Sequence, residues 1–155
     1  MIQRIQSIWL FLATLTLALM LVLPIATKQA GGSESTIFTY GIYHKITTND
    51  VSQLAVTPLI PLAVTNIAVA VMCFVNIFNF KRRSLQKKII VFTIAAIAGF
   101  AFWCSINAQK MPGGLDGASF GVGAYLPALA ILFCVLAIFG INKDERLIRS
   151  AERLR

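Results

Sequence analysis

Charged residues are missing from four long stretches of the chain. Residues 7–27, 56–80, 89–109 and 122–142 contain no Asp, Glu, Lys, Arg or His. Charged residues make up only 13% of the sequence, and a soluble domain carries about twice that share. A run of about 20 apolar residues matches the hydrocarbon thickness of a bilayer at the helical rise per residue. The absence of charge argues against a soluble protein and predicts four transmembrane helices in a single membrane domain.

Acidic residues are also missing from the segment 81–88, which joins the second and third runs and carries five cations. This segment, the N-terminus and the tail from residue 143 together hold eleven of the 14 Lys and Arg residues. The loops 28–55 and 110–121 hold the other three, which three acids balance. Cations near span ends mark the cytoplasmic side. Both termini and the 81–88 loop are therefore predicted to be cytoplasmic, and the net charge of +8 lies there.

The basic face is expected to contact anionic lipid headgroups, because each cation near such a surface contributes about 1 kcal/mol. The predicted lipid contacts are Lys81, Arg82, Arg83, Lys87 and Lys88. Nucleic-acid binding is not predicted, since no groove-reading motif accompanies the charge. The first run is too long for a cleaved signal peptide, so we expect a retained anchor.

Residues that carry catalysis or bind metals are scarce. The only histidine, His44, has a single carboxylate nearby, Asp50, and two such ligands do not make a zinc site. Cys73, Cys104 and Cys134 stand in three different runs without a C-x-x-C pair, and we interpret them as core residues. Phosphate-binding loops and hydrolase motifs are missing as well. We expect no enzyme activity, no metal and no cofactor.

The polar residues inside the runs are neutral. Ionisable residues in spans mark proton and ion pathways, and their absence argues against a coupled transporter. Asn66 is the deepest neutral polar residue, and an interhelical hydrogen bond of about 0.6–2 kcal/mol accounts for it. The alternative is a pore with Asn66 facing the path. Ala95 and Gly99 lie four residues apart, a spacing of small residues that is typical of close helix packing.

The loop 28–55 is larger than a connector requires. Residues 36–43 are rich in β-branched and aromatic side chains, which is compatible with a short β-hairpin over the helix ends. Phe38, Tyr40 and Tyr43 are candidate contacts for a partner. Two interpretations stay open: the segment adds a strand to a partner sheet, or its aromatic rings lie in the membrane interface.

The tail has a helical pattern of its own. Apolar residues recur at helical spacing among Arg and Glu side chains; they are Leu147, Ile148, Ala151 and Leu154. A cytoplasmic helix is predicted, which either continues the fourth span or lies along the membrane. It is interpreted either as a solvated helix end that fixes topology or as a contact for a cytoplasmic partner.

The two ends of the chain carry a family resemblance. Residues 1–7 (MIQRIQS), the Tyr125-Leu126-Pro127 opening of the last run and the ending at residues 142–155 resemble an uncharacterised family of small four-helix membrane proteins found in Bacteroidota. That family is known only as a domain of unknown function. The resemblance covers the whole chain and implies the inner membrane of a diderm bacterium. It implies no activity.

Taken together, these patterns predict an all-α membrane protein with four transmembrane helices and both termini cytoplasmic. The expected function is that of a non-enzymatic accessory or scaffold subunit of a larger membrane assembly. A small homo-oligomeric pore or carrier for a neutral or lipid-like molecule is the alternative, and a membrane thiol or lipid enzyme is a third hypothesis.

Overall fold

Four helices and a five-stranded sheet make up the fold. A computed structural model of the chain describes residues 3–30, 33–48, 51–110, 114 and 117–152. The helices are α1 (Gln3–Leu19), α2 (Ile60–Ile77), α3 (Arg83–Ala108) and α4 (Leu126–Glu152). The strands are β1 (Ala26–Ala30), β2 (Ser33–Phe38), β3 (Gly41–Thr48), β4 (Val51–Pro58) and β5 (Ser119–Phe120). The fold is therefore mixed, and the prediction of an all-α protein is wrong.

The sheet is antiparallel throughout, with the strand order β4-β3-β2-β1-β5. The first four strands form a meander between α1 and α2, whereas β5 comes from the connection between α3 and α4. The expected hairpin corresponds to β2 and β3, which pair from Phe38 and Gly41 onwards. A two-stranded hairpin is marginal in water, and three or more strands packed on helices are stable. The neighbouring polar segments therefore become strands, because they satisfy the hairpin's backbone groups.

The helices pack around one apolar core. In this bundle α1 lies against α2 and α4, and α3 closes the ring by contacting the same two helices. The buried side chains follow one stripe of each helix, as expected for helices with a single core-facing side. They include Leu10, Leu17, Cys73, Ile90, Ile97, Ala130, Cys134, Ala137 and Ile141. α1 and α4 pack together at Gly140, where an added Cβ would lie 3.6 Å from Gln6 Cβ, in ordinary van der Waals contact.

All the strands lie at one end of the bundle, because they connect the end of α1 to the start of α2 and the end of α3 to the start of α4. We call this the sheet end. There Ile37 and Ile42 are buried against the helix ends, in one cluster with Met20, Leu62 and Phe100. The opposite end holds the start of α1, the α2–α3 connection and the last turns of α4, and we call it the basic end.

Backbone contacts hold the two connections of the sheet end together. α1 ends at Leu19, before Pro24, which cannot continue a helix. Gly123 N donates to Pro24 O at 3.0 Å, and Gly121 N donates to Ile25 O at 2.9 Å. A Cβ added to Gly121 would lie 2.3 Å from Pro24 O, a distance that side-chain carbons do not reach. Only glycine fits here, because two backbones touch.

Three helical stretches of the described residues are long and apolar enough to cross a membrane: Ile60–Phe80, Arg83–Ala108 and Val122–Leu147. The apolar part of α1, Ile5–Leu19, is shorter. Large apolar side chains such as Val71, Phe92 and Phe139 are exposed on the outside of the bundle, and an apolar surface of this extent is typical of contact with lipid. The helices therefore indicate a membrane-associated protein.

Candidate functional site

Three aromatic side chains meet at the sheet end. Phe38 closes β2, Tyr40 lies in the turn and Tyr43 lies in β3. The ring centroids are 5.4 Å apart for Phe38 and Tyr40, 5.5 Å for Phe38 and Tyr43, and 5.8 Å for the two tyrosines. Such distances are typical of favourable aromatic pairs. The three residues singled out in the sequence thus form one cluster, which we call the aromatic cluster.

The aromatic cluster lies on the face of the sheet that points away from the helices. Side chains alternate along a strand, so Ile37 and Ile42 enter the core while Phe38 and Tyr43 take the other face. Tyr40 is partly exposed, and a side-chain hydrogen bond with Tyr43 raises the pKa of Tyr40, with burial as a smaller cause.

The edge strand β4 extends this face. Its only neighbour among the described strands is β3, so one row of its backbone groups is unpaired within the described part of the chain. Val56 lies directly opposite Tyr43, and Leu54 lies opposite Lys45. Leu54 is 62% exposed and Val56 is 47% exposed. The aromatic cluster, Leu54 and Val56 together form an apolar surface beside a free strand edge, which we call the edge surface, and Lys45 lies at its margin.

The face of the sheet that points toward the helices carries side-chain hydrogen bonds that stabilise the β2–β3 hairpin. Ser35 Oγ and His44 Nδ1 are 2.8 Å apart across β2 and β3, and Thr39 Oγ1 donates to Met20 O at 2.8 Å. His44 therefore has a structural partner. Among the described residues there is no group of three His, Cys, Asp or Glu side chains that could hold a metal ion.

A cavity of about 180 Å³ lies beneath the sheet, between β1, β5 and the ends of α3 and α4. Its lining includes Met20, Ala101, Cys104, Phe120 and Pro127. Ser105 is the one hydroxyl among the lining residues and the rest are mostly apolar, whereas a typical ligand pocket has several converging polar groups that orient a substrate.

Asn66 lies between α2 and α1. It is fully buried, and its Nδ2 donates to Leu17 O at 3.1 Å. A bond to the backbone of the neighbouring helix is what helix packing requires. This contact favours the packing interpretation over a transport path.

Ala95 and Gly99 do not lie at a contact between helices, although their spacing is typical of close helix packing. Both are exposed on α3, and a Cβ added to Gly99 would meet no atom within 4 Å. The pair therefore packs no helix against another among the described residues. The close approach occurs instead at Gly140 of α4.

The three cysteines are buried and free. Cys73 Sγ and Cys134 Sγ are 4.0 Å apart in the bundle core, and Cys104 lies near the sheet end. Their burial agrees with a role in packing. Thiol chemistry requires access for a partner, and these positions do not provide it.

The basic end brings most of its predicted lipid contacts to the surface. Arg82 and Lys88 are exposed, and Arg83 is partly exposed. Lys87 differs, because its Nζ lies 2.6 Å from Glu145 Oε2 and 3.2 Å from Asn142 Oδ1. It links α3 to α4. Lys81 lies in the short helical turn Phe78–Lys81.

The tail residues belong to α4, which runs without interruption to Glu152. Leu147 is exposed, and Ile148 and Ala151 follow in the same helix. Leu154 lies outside the described residues. The tail is thus an extension of the fourth apolar run.

Four further polar residues, one on each helix, are buried at the basic end, and only Asn76 belongs to the neutral polar residues of the apolar runs. Their oxygens Gln6 Oε1, Asn76 Oδ1, Gln86 Oε1 and Asp144 Oδ1 have no hydrogen-bond partner among the described residues. The burial of two of these residues could have been predicted from their spacing in the sequence. Gln6 and Gln86 each lie four residues before a core residue, Leu10 and Ile90, and thus on the same helix face.

These features define a class: a membrane-associated helix bundle that carries a five-stranded sheet at one end. The chain belongs to the family described as a domain of unknown function, DUF4293, which matches residues 2–154. The family recognised from the ends of the chain is therefore confirmed as an uncharacterised one. A comparison with curated proteins finds no match.

Proposed function

We propose that this protein is a non-enzymatic accessory or scaffold subunit of a larger assembly in the bacterial inner membrane. The edge surface is the observation that carries this proposal. An enzyme requires converging reactive groups, and the cavity beneath the sheet is lined mostly by apolar side chains, with Ser105 as its one hydroxyl. What the chain offers instead is an exposed apolar strand edge held on a helical anchor.

The proposed orientation follows from the charges. The basic end carries Arg82, Arg83 and Lys88, which would contact anionic headgroups at the cytoplasmic surface. The start of α1 and the end of α4 lie at this end, and both termini are cytoplasmic in the proposal. The sheet end, whose loops are neutral overall, then faces the periplasm. Partners of the edge surface are accordingly periplasmic segments of other membrane proteins.

The proposed mode of binding is addition of a strand to β4. Free backbone groups along an edge strand provide affinity, and neighbouring side-chain pockets provide specificity. Leu54 and Val56 would pack against apolar side chains of the added strand, and the aromatic cluster would contact its end. Insertion of the rings into the membrane interface is less well supported, because Phe38 and Tyr43 lie on the sheet face that points away from the helices.

Purification in mild detergent tests this proposal. The wild-type chain should elute with a stoichiometric partner, which mass spectrometry identifies. Val56→Lys should remove that partner, because a charge on the edge surface opposes strand addition. Gln53→Lys is the matched control, since it adds the same charge to an exposed position on the other face of β4. A wild-type particle that is monodisperse and free of any stoichiometric partner would contradict the proposal.

A further inference from the structure

The basic end contains a layer of polar side chains beneath the apolar core. We call it the polar layer, and its members are Gln6, Asn76, Gln86 and Asp144. All four side chains are at least nine-tenths buried. Each helix contributes one of them. Asp144 is a carboxylate placed inside the bundle, within the span Val122–Leu147.

The helix register brings the four residues to the same end of the bundle. Asn76 follows Cys73 by three residues and Asp144 follows Ile141 by three, while Gln6 and Gln86 precede core residues by four. The members therefore lie one turn beyond the core on every helix. Two direct contacts agree with this placement: Asn76 and Gln86 are hydrogen-bonded, and Gln6 touches Gly140, one turn before Asp144.

The direction of the side chains makes them converge. A helical side chain leans toward the N-terminus of its own helix. α1 and α3 start at the basic end, so Gln6 and Gln86 lean toward that end. α2 and α4 run the other way, so Asn76 and Asp144 lean into the bundle. Since Gln6 lies beside Gly140, one turn nearer the sheet end than Asp144, the side chains of Gln6 and Asp144 lean toward each other.

The unpaired atoms are mostly acceptors. Each of the four side chains has an oxygen without a hydrogen-bond partner among the described residues, and Gln6 Nε2 is the one unpaired donor. A buried polar atom without a partner costs about 1–3 kcal/mol, and more when it is charged. Four such oxygens on adjacent helices are complementary to a ligand with positive charge. Lys87 does not supply it, because its ammonium binds Asn142 and Glu145 instead.

The oxygen ligands of the polar layer, and the number of carboxylates among them, indicate which kind of cation would bind. Amide and carboxylate oxygens are hard ligands, which replace the hydration shell of alkali cations and alkaline-earth cations. Dedicated divalent sites generally combine several carboxylates, whereas the polar layer has one. A single negative charge balances a monovalent ion. We propose that the polar layer binds one alkali cation, K⁺ or Na⁺, which ties the four helices together at the basic end.

Cation-dependent thermal unfolding of the detergent-purified full chain tests this inference. The titrants are KCl and NaCl, with N-methyl-D-glucamine chloride holding the ionic strength constant. The wild-type Tm should rise and saturate with K⁺ or Na⁺. In Asp144→Asn the concentration for half of the effect should increase by about tenfold or more, since a charged ligand is lost. Glu34→Gln, which removes an exposed carboxylate of β2, should behave as the wild type.

A second variant covers the case in which Asp144→Asn does not fold. Gln6→Met keeps the length of the side chain but removes one oxygen, so it should also weaken the response to the cation. A Tm that is equal in K⁺, Na⁺ and N-methyl-D-glucamine would overturn the proposal. So would a Gln6→Met variant with an unchanged response, or a Tm rise produced by millimolar MgCl₂ alone, which would indicate a divalent site.

Discussion

Asn76 and Gln86 bind each other's backbone across the α2–α3 connection. Asn76 Nδ2 donates to Gln86 O at 3.3 Å, and Gln86 Nε2 donates to Asn76 O at 3.2 Å. The connection between them is short and carries cations, which repel one another. The reciprocal pair therefore fixes the relative position of two helices where the loop itself contributes little.

Asn76→Ala should destabilise the fold by about 1–3 kcal/mol, because it removes one bond of this pair and leaves Gln86 O without that donor inside the bundle. Chemical denaturation in detergent measures the change. Asn79→Ala, a partly exposed position in the same connection, is the matched control and should have a much smaller effect. Equal losses in both variants would refute a specific role of the pair.

Gly121→Ala should impair folding or lower the Tm strongly, because the new Cβ would lie 2.3 Å from Pro24 O and one of the two backbones must move. Gly99→Ala is the matched comparison in the same chain. Its Cβ would meet no atom within 4 Å, so the variant should gain up to about 1 kcal/mol from helix propensity. Thermal unfolding of both variants, in one detergent, gives the contrast. A Gly121→Ala variant whose Tm equals that of the wild type would mean that the two connections do not touch.

Asn66→Leu should lower stability by about 0.6–2 kcal/mol, through the loss of its bond to Leu17 O. Thr65→Val removes a neighbouring hydroxyl that bonds within its own helix, and should cost less. Passage of a neutral solute into reconstituted vesicles is the second measurement. If Asn66→Leu keeps its stability and abolishes passage of a neutral solute, the pore alternative gains and the packing interpretation fails.

The proposed orientation predicts which positions a membrane-impermeant thiol reagent reaches in intact cells. Replacing Cys73, Cys104 and Cys134 by Ala provides a background without thiols. In that background, Glu34→Cys on β2 should be labelled in cells whose outer membrane has been permeabilised. Ser150→Cys on the exposed end of α4 should be labelled only after the inner membrane is broken. The reverse pattern would invert the orientation and place the edge surface in the cytoplasm.

The helices could be predicted from the sequence because apolar length is a strong and local signal. The sheet could not, for reasons visible in its strands. β1 reads Ala-Thr-Lys-Gln-Ala, and β5 has two residues, so neither carries an alternating apolar pattern. They form strands only because the bundle brings two distant connections together. The length of the 28–55 loop was the available warning, since structureless loops of more than about 15 residues are uncommon in compact domains.

The burial of Asp144 could not be predicted for a related reason. It stands among Lys143, Glu145 and Arg146 in a segment that looks solvated. The structure continues α4 through this segment and buries Asp144 on the core-facing side. In the candidate partner site, the aromatic residues were identified, but the edge strand beside them was not.

The most direct test of the central claim is photo-crosslinking along β4 in living cells. A benzophenone amino acid is placed at position 54 or 56 of the edge surface, and at position 92, on the exposed apolar side of α3, as the control. Strand addition to β4 predicts one discrete protein adduct from both β4 positions and none from position 92, with the adduct at 54 lost when Val56→Lys is added. Lipid adducts alone at positions 54 and 56, or the same protein adduct at position 92, would contradict it.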